Sequence, residues 1–231
     1  MIGDQLKLPL PDDRASRRLP ERIRQMEAEA VDAPFDDPEY FFEPWWPGAR
    51  ALAFVESGDL RMQVSGLSDP IAAFPELRDL PEQVLDEGAV LDGTLLVLDE
   101  EGRPDAELLR RRLAGNGTRG RYPGRPAYVA SDLLWSEGVS LVKRPFAARR
   151  DRLSAVLPAG DRVIVGRGYV QEGTLVAEAL AGLGIDGLSA RRLSSRYRGG
   201  PGRDAWLRAP ITPPEPRPRP TLALILRLPL S

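Results

Sequence analysis

The chain contains no cysteine and no histidine. That removes thiol nucleophiles, imidazole general bases, disulfides and the ordinary sulfur–nitrogen zinc sites. Any metal bound here would have to be a hard cation on oxygen ligands. Lysine is almost missing as well. It occurs only at Lys7 and Lys143, so thirty of the 32 basic residues are arginine. The bias suits a GC-rich genome, and it leaves two amines able to carry a covalent nucleotide. No apolar run approaches the roughly 18 residues that a membrane helix needs, so no span is expected. The opening MIGDQLKLPLPDD has no basic start and no apolar centre, so it does not read as a secretory signal and a cytoplasmic location is expected.

What is present is the composition of a globular protein. The 231 residues are 42% hydrophobic and 29% charged, enough for one large domain or two small ones. A net charge of −2 hides an asymmetry: residues 1–105 hold 24 acidic and 10 basic residues, net −14, and residues 106–231 hold 10 and 22, net +12. A basic half suits a phosphate-bearing partner, nucleotide or nucleic acid, and it equally suits pairing with the acidic half of the same chain.

Three segments follow from the pattern. Residues 1–33 are a polar arm, with a short helix expected over Pro20–Glu29. Residues 34–210 form the body, where strands are expected near 51–56, 60–65, 89–98, 127–134, 162–170 and 187–193. The first two should form a hairpin about Ser57-Gly58-Asp59, and GAVLDGTLLVLD (88–99) is the strongest strand signal. Helices are expected from Phe74 through Leu85, over Asp105–Leu113, from Pro145 to Leu157 as a surface helix, and over Glu172–Leu183 with Gly184 as its C-terminal cap. Residues 115–126, GNGTRGRYPGRP, lack a phosphate-loop pattern and read as a solvated loop. Residues 211–231 are a Pro-rich linker followed by TLALILRLPL, expected to dock as an apolar strand.

Phe41–Val55, FFEPWWPGARALAFV, reads as a strand, a Gly-bearing turn and a hairpin partner. It resembles the first motif of the ATP-dependent DNA ligases, E-x-K-x-D-G-x-R, in the adenylation domain of the bacterial end-joining type. Phe42, Glu43, Pro44, Trp46, Gly48, Arg50 and 51–54 match; Trp45 stands at the nucleophilic lysine and Pro47 at the aspartate. Further words follow in the family's order over residues 34–210. Leu91, Asp92, Gly93 and Leu95 match L-D-G-E-L, with Thr94 at its glutamate. Asp132, Leu133 and Leu134 are kept, with Ser131 at the aromatic that stacks on adenine. Gly187, Ala190 and Arg192 match the fourth motif, with Asp186 and Arg191 at its glutamate and lysine; Arg208 and Pro210 take the last two lysine positions.

The resemblance implies an α+β nucleotidyltransferase fold: twisted, mainly antiparallel sheets flanked by helices around a cleft that gathers Trp45, Asp92, Ser131, Asp186, Arg191 and Arg208. It implies nucleotide contacts from Glu43, Trp45, Arg50, Asp92, Asp186, Arg191 and Arg208, and ATP or Mg²⁺ as the family's cofactors. No residue is assigned as catalytic. An indole lone pair belongs to the ring π system, so Trp45 cannot form the phosphoramidate that lysine forms. Trp45 would stack on a base or fill the cleft. Nucleic acid, nicked or broken duplex, is expected to meet Arg192, Arg196, Arg198 and Arg203 around RYRGGPGR. The family's OB-fold domain has no room in 231 residues. Three readings stay open: a non-catalytic binder of DNA, nucleotide or repair proteins; a ligand-free interaction module docking through Thr221–Leu230; and a residual ATP-dependent enzyme.

Overall fold

The computed structural model describes residues 18–115, 123–158, 160 and 162–227. In chain order the strands are β1 (Met26–Glu27), β2 (Glu29–Ala30), β3 (Asp37–Pro44), β4 (Ala49–Glu56), β5 (Asp59–Val64), β6 (Ala89–Leu98), β7 (Arg125–Ser136), β8 (Val139–Ser140), β9 (Val163–Val165), β10 (Tyr169–Gln171), β11 (Gly187–Arg192), β12 (Gly200–Pro201) and β13 (Trp206–Pro210). The helices are α1 (Pro70–Ala73), α2 (Leu80–Gln83), α3 (Ala106–Leu113), α4 (Phe146–Val156), α5 (Gly173–Gly182) and α6 (Leu222–Ile225).

Two sheets carry the fold. One runs β5-β4-β6-β7-β8 with β9 beside β7; the other runs β10-β3-β11-β13-β2. Most pairings are antiparallel, with β7–β9 and β13–β2 parallel. All ten residues of β6 are buried. Its odd-numbered side chains, Leu91, Leu95 and Val97, join the core beneath α1, α2 and α4. Leu96 and Leu98 on the even face join the core shared with the second sheet. A strand covered on both faces accounts for the unbroken apolar run. The even face also carries two polar residues, Asp92 and Thr94, and the cleft lies above them. Gly93 sits at a register shift against β7, where an added Cβ would lie 2.3 Å from the Val129 carbonyl.

The β4–β5 hairpin turns on Ser57 and Gly58, both at positive φ (53° and 83°), which matches the right-handed twist of the strands. α3, α4 and α5 fall within a residue or two of expectation. Asp105 caps α3 by accepting from the Glu107 and Leu108 amides, and Gly184 follows α5 at φ 76°.

Several expectations are corrected. β3 and β4 are not hairpin partners: β3 pairs with β10 and β11, β4 with β5 and β6. The turn between them crosses from one sheet to the other, and that crossing opens the cleft. Residues 20–29 form no helix. They run extended as a strap whose backbone is satisfied by side chains: Glu56 accepts from the Leu19 amide, Gln63 bonds the Ile23 amide and carbonyl, and Arg61 donates to the Pro20 and Glu21 carbonyls. Phe74–Leu85 is broken into a 3₁₀ turn and α2, because Pro75 and Pro81 remove amide donors. The expected strand over 162–170 divides into β9 and β10, in different sheets.

The apolar C-terminal segment is not a strand over its described residues. Thr221 caps the single turn α6 by accepting from the Leu224 amide, and Leu222 and Ile225, three residues apart, are buried. The Pro-rich stretch before it is anchored by Arg217 to Asp186 and the Gly184 carbonyl. Lys7, most of the 115–126 loop and residues 228–230 lie outside the described residues. No described helix is long and apolar enough to cross a membrane.

Candidate functional site

Strand register builds one wall of the cleft. On the second sheet Glu43 faces Ser189, which faces Arg208; two residues along the same face, Arg191 faces Trp206. On the first sheet Arg50 faces Thr94, and Asp92 lies two residues along that face. Alternation in LSARR therefore aims Ser189 and Arg191 at the cleft and Leu188 and Ala190 at the core.

The charged groups of the cleft are paired with one another. Arg50 Nη2 lies 2.7 Å from both oxygens of the buried Asp92, which also accepts from Tyr197 Oη at 2.8 Å and from Gln25. Arg149 grips Asp132 with two parallel bonds of 2.8 and 2.7 Å, side chains 1% and 0% exposed. Arg191 Nε donates to Glu43 at 3.2 Å, and Nη1 lies 3.7 Å from Asp132. Burial pulls the Arg50 pKa down, but Asp92 outweighs it and the net shift is upward. Burial pushes the Tyr197 phenol well above its ordinary range, so it stays a neutral donor to Asp92. Arg150, whose pKa burial lowers, donates to the Ser131 and Gly166 carbonyls.

Aromatic rings take the remaining space. The guanidiniums of Arg50 and Arg191 each lie 4.2 Å from the centre of Trp206, whose Nε1 donates to Ser189 Oγ at 2.9 Å. Trp45 packs on Trp206 with ring centres 5.7 Å apart and 32° between planes, and Arg208 lies 4.6 Å from the Trp45 ring. Gly187 permits this packing, since a Cβ there would lie 2.8 Å from Trp45 Cβ. The space left, bordered by Glu43, Trp46, Thr94, Ser131 and Arg191, is about 30 Å³. That is room for a water or two, against the roughly 300–1,000 Å³ of small-molecule sites. Glu43 Oε2 and Trp46 Nε1 are buried without partners at its edge. No group of three or more Asp or Glu able to hold a metal occurs among the described residues. The enclosed space between these side chains is smaller than a nucleotide needs.

Of the residues expected to converge, Glu43, Trp45, Arg50, Ser131 and Arg191 do so, with Asp92 beneath Arg50 and Arg208 at the exposed rim on Trp45. Asp186 does not. It is 45% exposed, pairs with Arg217 at 3.0 Å, and precedes β11 on the parity of Leu188 and Ala190, opposite to the cleft-facing Ser189 and Arg191. α4 is not merely a surface helix, because Arg149 is buried against Asp132. Sequence reasoning missed Arg149, Tyr197 and Trp206 as cleft residues. The available signal was Asp132, a carboxylate inside the apolar strand AYVASDLLW, which needs a cation beside it.

A second feature lies next to the cleft. Arg192, Arg196, Arg198 and Arg203 border one open depression of about 610 Å³, with Gly199 and Gly202 in its floor. Arg192 is paired with Glu39 and Asp204 at 2.6 and 2.5 Å. Arg196, Arg198 and Arg203 are exposed and make no ion pair among the described residues. Tyr197 pins the loop from inside: its hydroxyl accepts from the Met26 amide while donating to Asp92.

No family model matches the chain. LigD of Mycobacterium tuberculosis, a multifunctional non-homologous end joining DNA repair protein, is 29% identical over 170 residues, 74% of this chain and 21% of LigD. DNA ligase C1 of Mycolicibacterium smegmatis is 33% identical over 184 residues, 76% of this chain and 53% of that protein. Among solved structures, a mycobacterial DNA ligase D complexed with ATP superposes at TM-score 0.68 and 26% identity, over 81% of this chain and 60% of that one. The chain is homologous to the ligase domains of LigD and DNA ligase C1.

The ligase domain of M. tuberculosis LigD superposes at TM-score 0.64, over 80% of this chain and 58% of that domain. The shared architecture is that of ligase nucleotidyltransferase domains, curled antiparallel sheet with flanking helices. The chain spans about a fifth of LigD and about half of ligase C1. The filled cleft, bordered by Trp45, Trp206, Arg50 and Arg191, lies within that shared architecture.

Proposed function

We propose that this ligase-like domain does not transfer adenylate and acts in DNA end joining by binding DNA. One observation carries the reading: the side chains at the nucleotide positions are bonded to each other and leave about 30 Å³ between them. The nucleophile position supports it, because Trp45 has no transferable lone pair. Lys143, just before α4, is exposed and does not border the cleft. In this reading ATP and Mg²⁺ are not cofactors. DNA is supported by the unpaired arginines of the 192–203 loop and by the end-joining and ligase relatives.

The decisive experiment incubates the protein with labelled ATP and Mg²⁺, reading covalent and then reversible label. The expected outcome is neither. Covalent label abolished by Lys143→Ala overturns the reading. On duplex DNA, the three unpaired arginines, each meeting a phosphate, predict a log–log salt slope of about −2.7, flattened by about two units in Arg196→Gln/Arg203→Gln. Absence of retardation at low salt would remove DNA and leave a ligand-free interaction module, or a binder of repair proteins.

A further inference from the structure

A second groove, about 1,420 Å³, lies between the strap and β5, and Arg22, Arg24, Gln25, Trp45, Arg61 and Ser65 border it. Met26 borders both this groove and the arginine depression, so the two adjoin at the strap. Arg24 bridges them, packing against Gly199 and Gly200 of the arginine loop. Arg22, Arg24 and Arg61 make no ion pair with a described carboxylate; Arg61 donates only to backbone carbonyls and lies 3.8 Å from the Phe54 ring centre.

The two sides offer different chemistry. The depression presents guanidiniums and glycine backbone, suited to phosphates, and no aromatic ring borders it. The groove has a weaker charge, since Glu21 and Glu27 offset two of its three unpaired arginines and Asp92 neutralises Arg50. It has instead amide and hydroxyl groups and the half-buried indole of Trp45. An indole stacks on an exposed base face, which a single strand offers along its length and a duplex only at its end, so this combination suits a single strand.

We propose that the groove takes a single-stranded DNA tail continuing from the duplex on the arginine loop, with one base packed on Trp45. The proposal rests on the DNA reading above and adds the form of the DNA: a broken end with an overhang in preference to a blunt one. Trp45, where the family motif has its lysine, becomes the base platform.

The test compares the full chain binding a blunt duplex, the same duplex with a 5′ or a 3′ thymidine tail of about six nucleotides, and the tailed duplex with abasic residues in the tail. One tailed duplex should bind about tenfold tighter than the blunt one, an advantage lost with the abasic tail. The groove's net charge is near one, so the tail should steepen the salt slope by less than about one unit. Trp45→Leu should bring the tailed duplex down to the blunt level. Trp45 also fills the cleft, so Arg22→Gln/Arg24→Gln, on the exposed strap, serves as the second variant and should cut the advantage several-fold. Equal binding of tailed and blunt duplexes, or an abasic tail that binds as well as a base-bearing one, overturns the inference and leaves duplex binding standing. Failure of every DNA to bind overturns both.

Discussion

Arg50, Arg149 and Arg191 in the cleft and Arg196, Arg198 and Arg203 on the loop are the same side chain in opposite states. The first three are each bonded to a carboxylate at 3.2 Å or less, two of them almost without solvent exposure. The second three face solvent without an ion-pair partner among the described residues. A guanidinium beside a buried carboxylate is part of the scaffold; one on a glycine-rich loop is available to an anion. The +12 of residues 106–231 is thus divided. Some of it meets the acidic half, as in Arg112–Glu76, Arg191–Glu43 and Arg192–Glu39, and the remainder faces outward.

The division can be broken at its strongest point first. Asp132→Ala should cost about 3–5 kcal/mol, read from a urea midpoint, because it strands the Arg149 charge in the core. Replacing both partners, Asp132→Leu with Arg149→Met, should recover most of that loss. If the single variant matched the wild type, the buried pairs would not be scaffold. Next comes Gly187→Ala, which sets a methyl 2.8 Å from Trp45 Cβ and should cost about 1–3 kcal/mol as overpacking.

A smaller effect comes from acid. Burial raises the Glu76 pKa, but its hydrogen bonds from Arg112 outweigh that and the net value falls below its ordinary 4.5. A carboxylate depressed in the folded state stabilises above its unfolded pKa and loses that contribution as pH falls through the folded value. Stability should therefore decline below about pH 4.5, and Glu76→Gln should flatten that decline in a pH series of urea midpoints. Least of all, Arg196→Gln/Arg203→Gln should leave the midpoint unchanged while flattening the DNA salt slope. A loss of stability there would show the loop arginines to be scaffold too.

Much of this was legible from residues alone. β6 falls where its apolar run predicts, α5 where its 3.6-residue rhythm and Gly184 predict, and the motif words place Glu43, Arg50 and Arg191 together. What was not legible depends on distant partners. Nothing near Phe41 says that β3 joins β11, about 150 residues on, in place of its neighbour β4. Arg149 reads as surface in a helix with other arginines until β7 brings Asp132 beneath it. The strap lacks a helical face, and its Leu19, Ile23 and Met26 acquire a surface only when β4 and β5 are assembled. Asp186 keeps its place in the sequence motif, but its side chain pairs with the distant tail residue Arg217.

The interlocked cleft also has an evolutionary consequence. Arg50 leans on Asp92 and Trp206, Asp92 on Tyr197, Arg191 on Glu43 and the same Trp206, and Trp45 on Trp206. Contacts shared in this way make substitutions strongly non-additive. Reopening space for a nucleotide one residue at a time passes through intermediates with a buried unpaired charge or an empty hollow, each about 2–5 kcal/mol less stable. Domains generally hold about 5–15 kcal/mol in reserve, so two such steps together approach the limit. Trp45→Lys alone would set a new amine beside Arg208 while Trp206 and Arg191 still filled the cleft. The cleft is held closed by mutual dependence, so opening it takes several simultaneous changes.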